Sequence, residues 1–488
     1  MANDNATLIQ TTARSTLWAY AATYGGKALV LVSTLILARL MANQKEAFGI
    51  VGIALTVIAF LEVLQDLGIG AALIYTRDEA AANTAFWLGL IIAGALFSIT
   101  WLLAPVMSNF TNSPQATPII RALGLSFPLF GLRNIHDSLL RKNLQFKRRF
   151  VPDVTQVIAK ATISITLALL GFGAWSLVWG QLGGSAFGVV AYWLVNPWRP
   201  QWQFDRRLTR SLLTYGTSLV AVNALAVLLA RADYLFVGRY LGEDLLGVYT
   251  LAFQIPDLIV MQFCVVMANI MFPLYTRMRD DPQGLQKGFL LTTRYVALAT
   301  VPLALGMALV AEPFVLTFLS SAWMEAIPVM RTIAIYTLFL SLGFNAGDVY
   351  KAQGRPGILT KLALVRAVVL LPALWWAAAI VGTIQVVGWT HAVIALFGSI
   401  LNLVVAARML KVSYRDLARA FRPAMLAGAG MTVAVLAVLL ILRGTWPVVQ
   451  LVGSIVVGAG AYGGMLWWTQ RDVVQQASQT FRGAIARR

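Results

Sequence analysis

Charge is scarce in this chain, and acid is scarcer still. Of 488 residues only 12% are Asp, Glu, Lys or Arg, 59% are hydrophobic, and the 20 acids are outnumbered by 38 Lys and Arg. Soluble globular domains carry roughly twice that charge fraction, so the composition excludes one and indicates an integral membrane protein. Histidine is reduced to His136 and His391, far apart in sequence, and cysteine to Cys264 alone. An internal disulfide is therefore excluded, and no His or Cys spacing suits a metal. Cys264, in an apolar run, reads as a small core residue. There is no Gly-x-x-x-x-Gly-Lys-Ser/Thr loop to cradle nucleotide phosphates. Every loop is too short to hold a folded extracytoplasmic domain. The opening Met1 to Thr12 lacks the basic, apolar and small-residue regions of a secretory signal, so the first hydrophobic run is expected to stay as a span.

What is there is apolar and periodic. Runs of roughly 20 apolar residues predict about fourteen transmembrane helices, from 15–38 to 446–469. Basic residues crowd into alternate connections, such as Arg141, Lys142, Lys147, Arg148 and Arg149, while the opposite set holds only Arg39, Lys45, Arg239 and Arg443. By the positive-inside bias both termini face the cytoplasm. The net charge of +18 is thus an orientation signal rather than a nucleic-acid surface, and no nucleic-acid partner is expected.

The pattern also repeats. Pro118 and Arg121 return 210 positions later as Pro328 and Arg331, and Lys160 returns 206 later as Arg366. Leu37-Ala-Arg39 before a helix at Gly49 resembles Val237-Gly-Arg239 before a helix at Gly247, and Tyr75-Thr-Arg77 returns as Tyr275-Thr-Arg277. The expected organisation is an N-terminal helical bundle (1–195), a cytoplasmic interfacial linker (196–209), a C-terminal bundle (210–410), an extra transmembrane hairpin (411–470) and a cytoplasmic tail (471–488). Each bundle holds an even number of spans, so the copies enter the membrane in the same direction. They form a parallel, pseudo-symmetric repeat around a central cavity, a geometry that predicts a transporter.

Charges within spans are functional candidates, because they are costly in a bilayer. Lys27, Lys160, Arg231 and Arg366 lie too deep to snorkel and are candidates to bind substrate in the cavity. Arg133 and Arg294 lie nearer the cytoplasmic mouth, placed to receive an anionic group or to pair with Asp137 or headgroups. Arg121 and Arg331, near the outer ends, read equally well as structural charges. The acids Glu62, Asp66, Asp233 and Asp257 either pair with the cations or bind H+ or Na+ as a coupling ion; no other cofactor is expected. The excess of deep cations favours an anionic substrate, phosphate above all.

Leu37-Ala-Arg39-Leu with Phe48-Gly49, Asp66-Leu-Gly-Ile-Gly-Ala-Ala-Leu-Ile74, Thr84-Ala-Phe-Trp87-Leu, Leu139-Leu-Arg-Lys-Asn-Leu-Gln-Phe-Lys147 and Gly171-Phe-Gly-Ala-Trp175 carry a resemblance to a known family. The chain resembles the multidrug, oligosaccharidyl-lipid and polysaccharide flippase superfamily, and within it the Wzx-type, colanic-acid-exporter-like polysaccharide transporters. That resemblance implies two lobes around a central cavity and alternating-access transfer of a polyprenyl-pyrophosphate-linked oligosaccharide from the cytoplasmic to the outer leaflet. Its implied setting is lipopolysaccharide or exopolysaccharide assembly in the bacterial inner membrane, among membrane lipids and beside a polysaccharide polymerase and export machinery. A peptidoglycan lipid-precursor flippase shares the fourteen-helix plan, and a cation or drug antiporter of the same fold is disfavoured by the basic charges. A polymerase or glycosyltransferase generally carries a sizeable extracytoplasmic catalytic loop, which this sequence lacks, so the expectation is a transporter rather than an enzyme.

Overall fold

The computed structural model describes residues 25–65, 80–143 and 145–469. Among them the chain is helical with short connections and no strand. Apolar segments in a bilayer must satisfy their own backbone, and helices do so span by span. Packing divides the chain between Thr250 and Leu251. The first unit holds α1 (25–40), α2 (Lys45–Gln65), α3 (Ala80–Phe110), α4 (Ala116–Leu123), α5 (Ser126–Lys142), α6 (Phe146–Leu169), α7 (Ala174–Val195), α8 (Arg206–Leu241) and the first turns of α9 (Glu243–Arg277). The second holds the rest of α9, then α10 (Pro282–Phe314), α11 (Ala326–Phe344), α12 (Ala346–Ala352), α13 (Gly357–Trp375), α14 (Ile384–Leu410), α15 (Tyr414–Ile441) and α16 (Pro447–Thr469).

Among the described residues eleven helices are long and apolar enough to cross a membrane. Helix α5, with 17 residues, is too short to be among them, and α6 is too polar, because Asp153 and Lys160 lie along it. Two expected spans are broken. The run 117–140 divides into α4 and α5 at Gly124 and Leu125, and 326–348 divides into α11 and α12 at Asn345. At the first break α3 comes close: a Cβ on Gly124 would lie 3.1 Å from Thr100 Cγ2 and 3.3 Å from Phe97. Apolar side chains such as Leu102 and Leu194, about three-quarters exposed, face outward as lipid-facing residues do.

Two glycine contacts set the first unit. On α7, Gly180, Gly184 and Gly188 make a small-residue stripe that seats α6. A Cβ on Gly184 would lie 2.7 Å from Lys160 Cβ and 2.8 Å from the Gln156 carbonyl oxygen, so the two backbones are in near contact. Helices α2 and α9 meet at their N-terminal turns, where Gly49 faces the carbonyl of Glu243 and Gly247 faces the carbonyl of Lys45. The contact is reciprocal, and no side chain fits between the two helices there.

Candidate functional site

The candidate cations separate by unit. In the first, Arg133 on α5 donates from Nη1 to Gln156 Oε1 on α6 at 2.6 Å, and its guanidinium lies 5.4 Å from the Phe130 ring. Lys160 is one helical turn beyond Gln156 on α6, half-buried. The Gly184 contact fixes its backbone, and among the described residues its ammonium has no carboxylate or hydrogen-bond partner. On α8, Arg231 lies over Tyr234, with Cζ 5.1 Å from the ring centroid. Glu62 on α2 is exposed and within electrostatic reach of both Arg133 and Arg231. Lys27 on α1 is also exposed, next to Gly26, where α1 comes against Val157 of α6. Thus α2, α5, α6 and α8 bring Glu62 into the field of two arginines, with Lys160 beside the arginine-bound Gln156. In this group three cations accompany one acid.

The expected alternative for Arg133, a pair with Asp137, does not form. Asp137 is taken by Arg141 at 2.7 Å and by Arg149 Nε, and the Tyr192 hydroxyl lies 3.1 Å from it. The same hydroxyl donates to Asp153 at 2.7 Å, so α5, α6 and α7 are tied at one end by a saturated cluster. That leaves Arg133 with a neutral partner, and its charge remains available to an anion. Sequence reasoning missed Gln156; its signal was a polar residue one turn before Lys160, on the face that also carries Asp153 and Ser164.

Asp233 accepts from the Tyr249 hydroxyl at 2.6 Å inside the first unit. Asp66 lies outside the described residues. In the second unit Arg294 on α10 and Arg366 on α13 are half-buried, and each has a buried Nε without a hydrogen-bond partner among the described residues. Asp257 on α9 is also half-buried. The outer arginines carry structural contacts: Arg121 lies 3.9 Å over Trp101, and Arg331 pairs with Glu312 at 3.3 Å.

The segment 196–205 is strapped across the start of α3. Gln201 and Gln203 exchange hydrogen bonds with Asn83, Trp87 Nε1 donates to the Gln201 carbonyl at 2.8 Å, and Trp202 stacks on Trp87 at 4.0 Å. Asp205 N donates to Thr84 at 3.1 Å. The Thr84-Ala-Phe-Trp87 motif is therefore the dock for the connection that leads into α8.

The chain is similar to known proteins both in sequence and in fold. The chain is 26% identical over 365 residues to the lipopolysaccharide biosynthesis protein WzxC of Escherichia coli (strain K12), covering 73% of each. It is 26% identical over 364 residues to the succinoglycan biosynthesis transport protein ExoT of Rhizobium meliloti (strain 1021), covering 74% of this chain and 73% of that protein. In fold it is similar to the lipid II flippase MurJ in its inward closed conformation, with a TM-score of 0.73 and 14% identity over 94% of this chain and 100% of that one. At that identity the likeness speaks for the fold alone. The expected resemblance to Wzx-type polysaccharide transporters holds. The family described as polysaccharide biosynthesis protein matches residues 36–328, more than half of the sequence, and the chain belongs to it.

Proposed function

We propose that this multi-pass membrane protein is a flippase that carries a polyprenyl-pyrophosphate-linked oligosaccharide from the cytoplasmic to the outer leaflet by alternating access, for surface polysaccharide assembly. The observation that carries the reading is the group of Arg133, Lys160 and Arg231 with the single acid Glu62 in its field. Guanidinium and ammonium groups in a half-desolvated site recognise a pyrophosphate through charge-assisted hydrogen bonds. The printed names of WzxC and ExoT support the same substrate class. Lys27 in the first unit and Arg294 and Arg366 in the second are further candidate cations for the substrate, and Glu62, Asp66, Asp233 or Asp257 supplies a coupling site for H+ or Na+.

In this reading the chain has fourteen spans in a bacterial inner membrane with both termini cytoplasmic. Its bundles at 1–195 and 210–410 are copies joined by 196–209, followed by a hairpin at 411–470 and a tail at 471–488. The reciprocal meeting of Gly49 and Gly247, 198 positions apart, supports the duplication. The chain works as a transporter rather than a polymer-forming enzyme, with a polymerase and export machinery downstream. A peptidoglycan-precursor flippase would use the same cations and is the second reading.

The test is leaflet translocation in proteoliposomes of a labelled polyprenyl-pyrophosphate oligosaccharide, with lipid II and an organic cation as alternative cargoes. Lys160→Ala and Arg133→Ala are expected to lower transport at least tenfold while the protein stays monodisperse, and Arg366→Ala shows whether the second repeat contributes. Transport of the organic cation alone, or full activity in all three variants, overturns the reading.

A further inference from the structure

A second site lies at the other end of the first unit. A cavity of about 590 Å³ opens where the N-terminal turn of α2, the α3–α4 turn and the α8–α9 turn converge, lined among others by Glu46, Asn112, Arg239, Tyr240, Glu243 and Asp244. Its volume is within the range of about 300–1,000 Å³ usual for small-molecule sites. Its walls are set by the backbone. Asn112 and Gly242 hold left-handed turns, with φ of 54° and 89°. Arg239 Nη1 donates to Asn112 Oδ1 at 2.8 Å, bridging two of the three elements, and its guanidinium lies 5.6 Å from the Phe110 ring. The Gly49 and Gly247 contact locks α2 against α9, and with them the backbones that carry Glu46 and Glu243.

The lining specifies a ligand. Three carboxylates against one guanidinium leave the cavity net negative, which rejects pyrophosphate and uronic acids. Carboxylates are acceptor-only groups and ask for hydroxyl or ammonium donors. Among the described residues no three acids are close enough to hold a metal ion, so the acids are not a divalent-cation cage. Tyr240, 45% exposed, offers a flat ring with a hydroxyl at its tip, a surface on which a sugar ring can stack. In the same lining, Asn112 and Arg239 supply donors for ring and hydroxyl oxygens.

We infer that this cavity is a glycan-docking subsite that receives neutral or amino-bearing sugar residues. The inference rests on the flippase reading, in which this end of the unit faces outward and meets the glycan as it emerges. The cationic group binds the pyrophosphate and the acidic cavity binds the sugar, so the two ends of one substrate are recognised by opposite charge.

The experiment is saturation-transfer NMR on the full-length protein in nanodiscs, with maltotriose, a glucosamine trimer and a galacturonate trimer as probes. Saturation of the first two but not the third is expected, falling at least fivefold in Tyr240→Ala and in Asp244→Asn, both at exposed positions where folding is spared. The double variant Glu243→Gln with Asp244→Asn is expected to abolish binding of the glucosamine trimer first. Absence of saturation by all three probes, equal saturation by galacturonate, or signals unchanged in Tyr240→Ala overturns the subsite. Flipping by a wild type that binds none of the probes would sink this inference and leave the flippase standing. Tyr240-dependent saturation without any flipping would do the reverse.

Discussion

Replacing Gly49 or Gly247 with alanine is the sharpest test of how the first unit is held. A Cβ on either residue would lie 2.8 Å from the carbonyl carbon of Glu243 or Lys45 and would overlap its oxygen outright. Ordinary contact begins near 3.4 Å, so the helices must separate by about half an ångström at the carbon and further at the oxygen. The obstacle is main chain, which has no rotamer to change, so the cost belongs at the upper end of overpacking, about 3 kcal/mol. Alanine returns about 1 kcal/mol through its better helix propensity. The net loss of about 2 kcal/mol is close to a 30-fold change in the folded ratio. For a unit of this size it lowers the melting midpoint by roughly 4–8 °C. The assay is the monodisperse fraction left after stepwise heating of detergent-purified protein, with Gly94→Ala as a control that meets nothing within 4 Å. If Gly49→Ala and Gly247→Ala melt within a degree of both the wild type and the control, the two backbones are not in contact and the reasoning fails.

Asp137→Asn is expected to cost about 1–2 kcal/mol, because it removes the closer carboxylate of the half-buried Arg149, leaving only Asp153 at 3.8 Å, and disturbs Tyr192 as well. Asp348→Asn removes only the bond to the half-exposed Lys351 and is expected to cost less than about 0.5 kcal/mol. Equal melting shifts in the two would contradict the assignment of Asp137 as the tie between α5 and α6. Trp87→Ala removes both the stack on Trp202 and the hydrogen bond to the Gln201 carbonyl. Chymotrypsin added to vesicles with the cytoplasmic face outward should then cut after Trp202 several times faster than in the wild type, and an unchanged rate would show that the strap is held by other contacts.

Hydropathy made the helices legible, because a bilayer imposes one solution on every apolar run of sufficient length. It did not reveal the interruptions at Gly124 and Asn345, since both residues keep helical φ and ψ and leave the apolar run intact. The depth of Lys160 and Arg133 could be read from the chain, but their neighbours could not. Which residue faces Arg133 depends on the rotation of α6, and that is fixed by the stripe at Gly180, Gly184 and Gly188 on α7, whose meaning appears only when the two helices are together. The pairing of Asp137 with Arg149 has the same origin, a register between neighbouring helices rather than a spacing along one of them. The proposed duplication and the packing also divide the chain differently. The repeat points to 196–209, whereas contacts separate at Thr250 within α9, because the first turns of α9 are spent on α2.

The crossing of α2 and α9 has a consequence for evolution. Each glycine faces a carbonyl group of the other helix, and every amino acid carries the same carbonyl. No second mutation on the partner side chain can make room for a first, so neither position has a compensating partner elsewhere in the sequence. Selection should then hold both positions independently, each as an invariant glycine. Methods that infer proximity from correlated substitution will find nothing at this pair, and this backbone contact will be one that lineages record only by never changing.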